Sequence, residues 1–227
     1  MAAARLPAAV VFDLDGTIVD TEQPVFEAWR RTWAGQGHDL RLEDWLLCVG
    51  RDDELFSPGN ALAERVGPGF DAETVHTARR ALQTELLAAT VVREGVVAWL
   101  DEAAAARVPV GVASSSPRDW VDGHLGRLGL AARFTTIQTR TEVGVTKPDP
   151  AAYVAACAAL GAAPAQALAV EDSANGLAAA RAAGMATVAF PNPVTAELDL
   201  SAADLLVPDL TAATLAEAWH AIRAGDG

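Results

Sequence analysis

Cysteine is scarce in this sequence of 227 residues, which contains only Cys48 and Cys157. Two cysteines so far apart predict neither a disulfide framework nor a zinc site, and they fit a reducing cytoplasm. No apolar run reaches the roughly 20 residues that span a bilayer. The first residues also lack a signal-peptide pattern, because charged residues follow the apolar run at once. We therefore expect a cytoplasmic protein that does not enter a membrane.

Positive charge is in short supply as well. The 17 Lys and Arg residues are outnumbered by 30 Asp and Glu residues, and the formal net charge is −13. This balance argues against nucleic acid or an anionic membrane as a partner. An anionic small-molecule substrate would therefore need local positive charge from a metal cation, a lysine or an arginine.

The remaining composition is typical of a globular protein, with 51% hydrophobic and 21% charged residues. The length allows a core domain and a second, smaller domain. After residue 95, apolar strands alternate with helices, which predicts an α/β fold with a doubly wound, mostly parallel sheet. The strands are predicted at residues 8–12, 109–113, 134–139, 167–170, 186–190 and 205–207.

Residues 19–90, here called the helical insertion, interrupt this pattern with apolar residues at helical spacing. Their helices include segments predicted at residues 42–49, 54–65 and 71–87. We assign residues 1–18 and 91–227 to an α/β core domain and residues 19–90 to a small all-helical cap domain. The residues expected to form the hydrophobic core of the insertion are Trp29, Trp33, Trp45 and Phe56.

The stretch VVFDLDGT, residues 10–17, joins the first strand to two acids. A parallel strand in an open α/β sheet presents its ligand-binding end at its C-terminus, which is where Asp13 and Asp15 fall. Two acids in this position repel each other unless a Mg²⁺ ion binds them or one holds a proton. Taken alone, the pair has the alternative of simple turn residues that follow the strand.

Three later pieces complete a constellation. Ser114 follows the second strand, Lys147 precedes a proline, and Glu171 with Asp172 follows the strand at residues 167–170. Together with DLDGT at residues 13–17, these pieces resemble the four motifs of the haloacid dehalogenase superfamily of phosphoryl-transfer enzymes. A helical insertion directly after the first strand resembles the β-phosphoglucomutase-like subgroup of that superfamily.

The resemblance implies a role for each acid of the first motif. Asp13 would be the nucleophile that accepts the phosphoryl group and forms an aspartyl phosphate. Asp15 would be the general acid that protonates the leaving oxygen and then the base that activates the second acceptor. Dehalogenases of the superfamily lack an acid at the second position, so Asp15 favours phosphoryl chemistry.

The resemblance also implies how the phosphate is bound. The Ser114 hydroxyl, the Ser115 backbone N–H and the Gly16 turn would contact the phosphoryl oxygens. Lys147 would orient the nucleophile and neutralise the transferring group. The alternatives are a helix cap for Ser114 and a solvated surface position for Lys147. We expect Ser116, which precedes Pro117, to be the N-cap of the next helix.

A Mg²⁺ cofactor follows from the same resemblance. Its ligands would be Asp13, the backbone carbonyl of Asp15, and Asp172, with Glu171 binding directly or through water. The alternative for Glu171 and Asp172 is an acidic helix start favoured by the helix dipole. Three acids that converge from two strand ends would be costly without a cation, so the acids and the metal imply each other.

The helical insertion is expected to close over the site and to select the substrate. Arg51 is a candidate for binding a distal anionic group, with a surface ion pair to Asp52 or Asp53 as the alternative. Val25 stands where β-phosphoglucomutase has a histidine, which favours a simple phosphatase. The absence of lysine between residues 22 and 93 argues against the Schiff-base chemistry of a phosphonatase.

The sequence therefore predicts a Mg²⁺-dependent phosphatase of a small phosphorylated metabolite that acts through an aspartyl phosphate, as a monomer or homodimer. The subgroup resemblance suggests a sugar phosphate. One alternative is a phosphomutase, which would pass the phosphoryl group to another hydroxyl. The other is a non-catalytic binding or regulatory protein on the same scaffold. The residues that speak against this last alternative are Asp13, Asp15, Lys147 and Asp172.

Overall fold

Six parallel strands form one sheet with the first strand near its centre. The computed structural model describes residues 6–49 and 56–225. Every neighbouring pair of strands is parallel, and the order is β3-β2-β1-β4-β5-β6. The strands are β1 (Ala9–Phe12), β2 (Val110–Ser114), β3 (Thr136–Thr139), β4 (Ala167–Glu171), β5 (Ala186–Ala189) and β6 (Leu205–Leu206).

Ten α-helices accompany the strands in the described part of the chain. Four lie between β1 and β2 within the helical insertion, namely α1 (Glu22–Gly35), α2 (Leu42–Leu46), α3 (Pro58–Val66) and α4 (Ala72–Ala88). The others are α5 (Val96–Ala106), α6 (Arg118–Arg127), α7 (Arg140–Val143), α8 (Ala151–Ala159), α9 (Ala174–Ala182) and α10 (Leu215–Gly225).

The two faces of the sheet carry different cores because alternate residues of a strand point to opposite sides. Val10 and Phe12 pack on the side of α5, α6 and α10, together with large residues such as Trp99. Ala9 and Val11 pack on the side of α8 and α9, where most of the buried residues are alanines. Helices on both faces confirm the predicted doubly wound α/β architecture.

The helical insertion has a hydrophobic cluster of its own. Trp33 and Trp45 are buried there, and Trp29 and Phe56 pack against them, as predicted. Val194, from the segment after β5, belongs to the same cluster. The insertion is therefore packed around its aromatic residues, and Val194 extends this cluster to the segment that follows β5.

Two adjacent segments join the insertion to the sheet. Val19 and Val92 pair in an isolated antiparallel bridge, so the entering and leaving segments run side by side. Two connections that run side by side can act as a hinge between the insertion and the sheet. The domain boundaries predicted at residues 18 and 91 stay a prediction. Within residues 6–49 and 56–225, no helix combines the length and apolar character needed to cross a membrane.

Two helices of the insertion are shorter than predicted. The helix predicted at residues 42–49 ends at Leu46, and residues 47–49 form a turn. The prediction was too long because the apolar spacing continues through this turn as far as Val49. The helix predicted at residues 54–65 begins at Pro58 in the described part of the chain. There the Ser57 hydroxyl accepts a hydrogen bond from the backbone N–H of Asn60, at 3.3 Å. A serine cap followed by proline is a favourable helix start.

Candidate active site

The strand order brings the predicted site residues to one edge of the sheet. β1 lies between β2 and β4, and all three strands run in the same direction. Asp13 follows β1, Ser114 ends β2, and Glu171 ends β4. Their side chains therefore meet at the carboxyl ends of the strands, which is where open α/β sheets bind ligands.

Lys147 occupies the centre of this group. Its Nζ lies 2.5 Å from Asp13 Oδ1 and 2.5 Å from Glu171 Oε1, and all three side chains are buried. It is also the only lysine in the sequence. Burial alone would lower the pKa of this ammonium, but the charges of Asp13 and Glu171 outweigh it and raise the pKa. The group therefore stays a cation at physiological pH.

Glu171 has further partners that sequence reasoning missed. The Tyr153 hydroxyl, on α8, donates to Glu171 Oε1 at 2.5 Å, and the Ser173 hydroxyl donates to Oε2 at 3.2 Å. Burial raises the pKa of Tyr153 well above its usual value, so the phenol keeps its proton and donates. A Cβ at Gly176 would lie 1.9 Å from Glu171 Cδ, so only glycine fits beside this carboxyl.

Asp172 is held by two other donors. The Thr17 hydroxyl lies 3.3 Å from Oδ1, and the Asn192 amide donates to Oδ2 at 2.7 Å. Gly16 has a positive φ of 82°, and a Cβ there would lie 2.0 Å from Asp172 Oδ2. Arg93 donates to the backbone carbonyl of Gly16 and so ties this turn to the sheet domain. The absence of a side chain at Gly16 thus lets the turn lie against the Asp172 carboxylate. The contact of Gly16 with phosphate stays a prediction.

The buried acids form a group whose chemistry suits a divalent cation. Ligand oxygens of Asp13, Glu171 and Asp172 lie within 4.8 Å of one another. Burial raises the pKa of Asp13 and of Asp172 well above the usual value, and the neighbouring carboxyls raise both further. Lys147 opposes this shift at Asp13. An additional cation would stabilise the ionised acids, and clustered carboxylate oxygens are the donors that hard divalent cations prefer.

Asp15 is oriented by three hydrogen bonds from different elements. The Ser116 hydroxyl donates to Oδ2 at 2.6 Å, whereas Trp120 Nε1 and the Thr21 hydroxyl donate to Oδ1 at 2.8 and 2.9 Å. The prediction of Ser116 as a helix N-cap was wrong. The N-cap of α6 is Pro117, and the serine hydroxyl binds the acid instead. The Trp120 contact was not anticipated from the sequence.

The remaining predicted residues lie in three different situations. Ser114 is buried, and its Oγ accepts the Ser116 N–H at 3.0 Å. Ser115 Oγ accepts the Lys147 backbone N–H at 3.0 Å and thereby holds the lysine segment against the sheet. Arg51 lies outside the described residues. The phosphate-binding roles of these three residues stay predictions.

A cleft of about 350 Å³ connects these groups to solvent. Asp13, Asp15 and Lys147 lie on its sheet side. On the opposite side it is bounded by residues of the helical insertion, namely Glu22, Val25, Trp45, Cys48, Val49 and Gln83. The acids at the sheet edge and the insertion therefore share one cavity, and Val25 lies in it.

Glu22, which lines this cleft, is expected to make the free energy of unfolding depend on pH. Burial raises its pKa from 4.5 to about 7, and the charges of Asp15 and Asp20 contribute. Because the folded pKa is raised, the stability associated with protonated Glu22 is lost as the pH rises from about 4.5 to about 7. We expect Glu22→Gln to raise the free energy of unfolding near pH 8 by at most about 3 kcal/mol, and to have little effect near pH 4. Urea unfolding at both pH values measures this.

Glu27 on the same helix is the matched control. Hydrogen bonds from Arg30 and Arg31 lower its pKa to about 2, against the opposing effect of burial. Its ionised form stabilises the fold above pH 4.5, so Glu27→Gln should lower stability near pH 8. The effect should stay below about 1 kcal/mol because the ion pairs are exposed. A gain of stability in Glu22→Gln that is equal at both pH values would contradict the assignment.

Sheet topology and site together define an α/β enzyme with a carboxylate-rich centre. The chain belongs to the haloacid dehalogenase-like hydrolases, whose family model matches residues 7–184. Among its relatives, validoxylamine A 7′-phosphate phosphatase of Streptomyces hygroscopicus subsp. limoneus is 34% identical over 203 residues, covering 88% of this chain and 93% of the relative. β-Phosphoglucomutase of Bacillus subtilis (strain 168) is 31% identical over 226 residues, covering 95% and 96%.

A solved structure agrees with these relatives. CbbY from Rhodobacter sphaeroides, in complex with phosphate, superposes with a TM-score of 0.70 at 26% identity, covering 94% of this chain and 99% of that one. The predicted superfamily and its β-phosphoglucomutase-like subgroup are both confirmed.

Proposed function

We propose that the protein is a phosphatase that hydrolyses a small phosphorylated metabolite, a sugar phosphate, through an aspartyl phosphate on Asp13. The observation that carries the proposal is the contact of Lys147 Nζ with Asp13 Oδ1 at 2.5 Å, across 134 positions of sequence. A lone cation that touches a buried carboxylate is suited to orient it and to neutralise an arriving phosphate.

The side chains divide the reaction between them. Asp13 attacks phosphorus and holds the phosphoryl group as an acyl phosphate. Asp15, held by Ser116, Trp120 and Thr21, protonates the leaving oxygen and then takes a proton from the attacking water. The insertion side of the cleft excludes bulk water from this exchange.

Mg²⁺ is the cofactor we propose for the acidic group. The residues that would hold it are Asp13, Asp172, the Asp15 backbone carbonyl and, directly or through water, Glu171. When bound, the ion supplies charge neutralisation and polarises the phosphoryl oxygens. Asn192 and Thr17 each donate to one oxygen of Asp172 and so fix the orientation of this carboxylate.

Metal removal tests the proposal. We expect p-nitrophenyl phosphate to be hydrolysed with Mg²⁺ and the rate to fall at least roughly 100-fold after chelation with EDTA, recovering when Mg²⁺ is restored. Released phosphate is measured colorimetrically. Hydrolysis that is unaffected by EDTA would contradict the metal assignment. A protein that fails to hydrolyse every phosphate monoester tested would contradict the proposed phosphatase activity.

A phosphomutase is the second candidate function, because β-phosphoglucomutase is 31% identical to this chain. Product analysis distinguishes it from a phosphatase. A phosphatase releases one phosphate for each sugar phosphate consumed, whereas a mutase yields an isomeric sugar phosphate. Val25 lies in the cleft, and its side chain offers no proton-transfer group there. We therefore expect free phosphate to match the substrate consumed.

A further inference from the structure

Among the residues that the structure describes, one cation in the cleft has no anionic partner in the protein. Its described lining has two basic side chains, Lys147 and Arg140. Its acidic residues are Asp13, Asp15, Glu22 and Asp172. Lys147 is already bonded to two carboxylates. Within residues 6–49 and 56–225, the Arg140 guanidinium makes no ion pair, hydrogen bond or ring contact, so its charge is available to a ligand.

The backbone of Arg140 is fixed although its side chain is exposed. It is the first residue of α7, and it follows β3 directly. Thr139 and Glu142 form a capping box that holds this start, with the Thr139 N–H donating to Glu142 Oε2 at 2.8 Å. The neighbouring Arg118 differs, because its guanidinium pairs with Asp122 at 2.9 Å and also contacts Glu142. Only one of these two adjacent arginines is therefore left for the cleft.

The register of the sheet separates Arg140 from the reacting acids. Thr139 pairs with Ser114 on β2, and β2 in turn pairs with β1, which precedes Asp13. Two strand spacings place the Arg140 backbone roughly 10 Å to the side of β1. An exposed guanidinium at this distance lies at the mouth of the cleft, beyond the phosphate that contacts Asp13.

We propose that Arg140 binds a second anionic group of the substrate, a carboxylate or a second phosphate, while the first phosphate lies at Asp13. The planar guanidinium binds either group through two parallel hydrogen bonds. Four acids in the cleft would otherwise repel a doubly anionic ligand. The inference rests on the proposed function and narrows its substrate class to phosphate monoesters with a second anion.

Competition against p-nitrophenyl phosphate tests this without knowledge of the natural substrate. Two pairs of compounds differ in a second anion: 3-phosphoglycerate with glycerol 3-phosphate, and fructose 1,6-bisphosphate with fructose 6-phosphate. The inhibition constant of each compound is measured on wild type, Arg140→Ala and Arg140→Lys. In Arg140→Ala we expect the preference for the doubly anionic member of at least one pair to fall about 10–100-fold, with partial recovery in Arg140→Lys.

Arg133→Ala is the matched control, because Arg133 forms an exposed ion pair with Asp101 outside the cleft. It should keep the wild-type preference. An unchanged preference in Arg140→Ala for both pairs would overturn the inference, and so would an equal loss of affinity for singly and doubly anionic compounds. Failure of the wild type to hydrolyse p-nitrophenyl phosphate would instead overturn the proposed function, and the inference with it.

Discussion

Asp13→Asn is expected to lower the turnover of p-nitrophenyl phosphate by at least roughly 1,000-fold without unfolding the protein. The amide keeps the size of the side chain and an oxygen acceptor for Lys147, but it is not a nucleophile. Burial raises the pKa of the Asp13 carboxyl well above its usual value. Lys147 keeps its contact with Glu171 in this variant, so removing the charge at Asp13 should cost less stability than removing the lysine. Steady-state kinetics and urea unfolding of the same preparation separate the two effects.

Asp119→Asn provides the control, since Asp119 lies exposed in the first turn of α6. Its turnover should match the wild type. A second measurement identifies the attacked residue: borohydride reduction of wild-type enzyme during turnover should convert the acyl phosphate at position 13 to homoserine. Reduction at another carboxyl, or wild-type turnover in Asp13→Asn, would show that Asp13 is not the nucleophile.

The principal acids and the lysine were accessible to sequence analysis because each follows a recognisable pattern. Asp13 and Asp172 come just after apolar runs that form buried parallel strands. Carboxyl ends of parallel strands lie at one edge of the sheet, so distant residues are brought together by topology alone. Lys147 was assigned through its place in the motif, and the contact with Asp13 agrees with that assignment.

The donors that hold these acids were not accessible in the same way. Asn192 and Trp120 lie in a loop and a helix whose local patterns indicate nothing about which carboxylate they meet. Tyr153 offered one signal. It is the only tyrosine in the sequence and lies in an alanine-rich helix, where a buried phenol needs an acceptor. That acceptor is Glu171, which only the packing of α8 on the sheet reveals.

Ser116 shows why a local rule failed. Serine before a helix usually caps it, because its hydroxyl accepts a nearby backbone N–H. Here the hydroxyl donates to Asp15, which is 101 positions away in the sequence. A hydroxyl can donate and accept at the same time, so this bond alone does not prevent capping. Ser116 is not the cap because α6 begins at Arg118, which leaves Pro117 at the N-cap position.

Lys147→Met should have the largest combined effect on stability and activity. Its removal would leave Asp13 and Glu171 buried without their shared cation. Removing one partner from a buried ionic group costs about 3–5 kcal/mol. This cost should be largest near pH 8 and shrink as the pH falls, because Asp13 and Asp172, whose pKa values burial raises, take up protons and lose their mutual repulsion. Turnover should fall by at least roughly 1,000-fold at every pH.

A second substitution distinguishes electrostatics from catalysis in this variant. Adding Glu171→Gln to Lys147→Met removes one of the two unpaired charges, so we expect it to recover part of the stability without restoring turnover. Arg181→Met is the control for loss of a cation, because Arg181 pairs with Asp204 at the surface and should contribute less than about 1 kcal/mol. If Lys147→Met were as stable as this control near pH 8, the buried lysine could not be neutralising the acids, and its proposed role at Asp13 would fail.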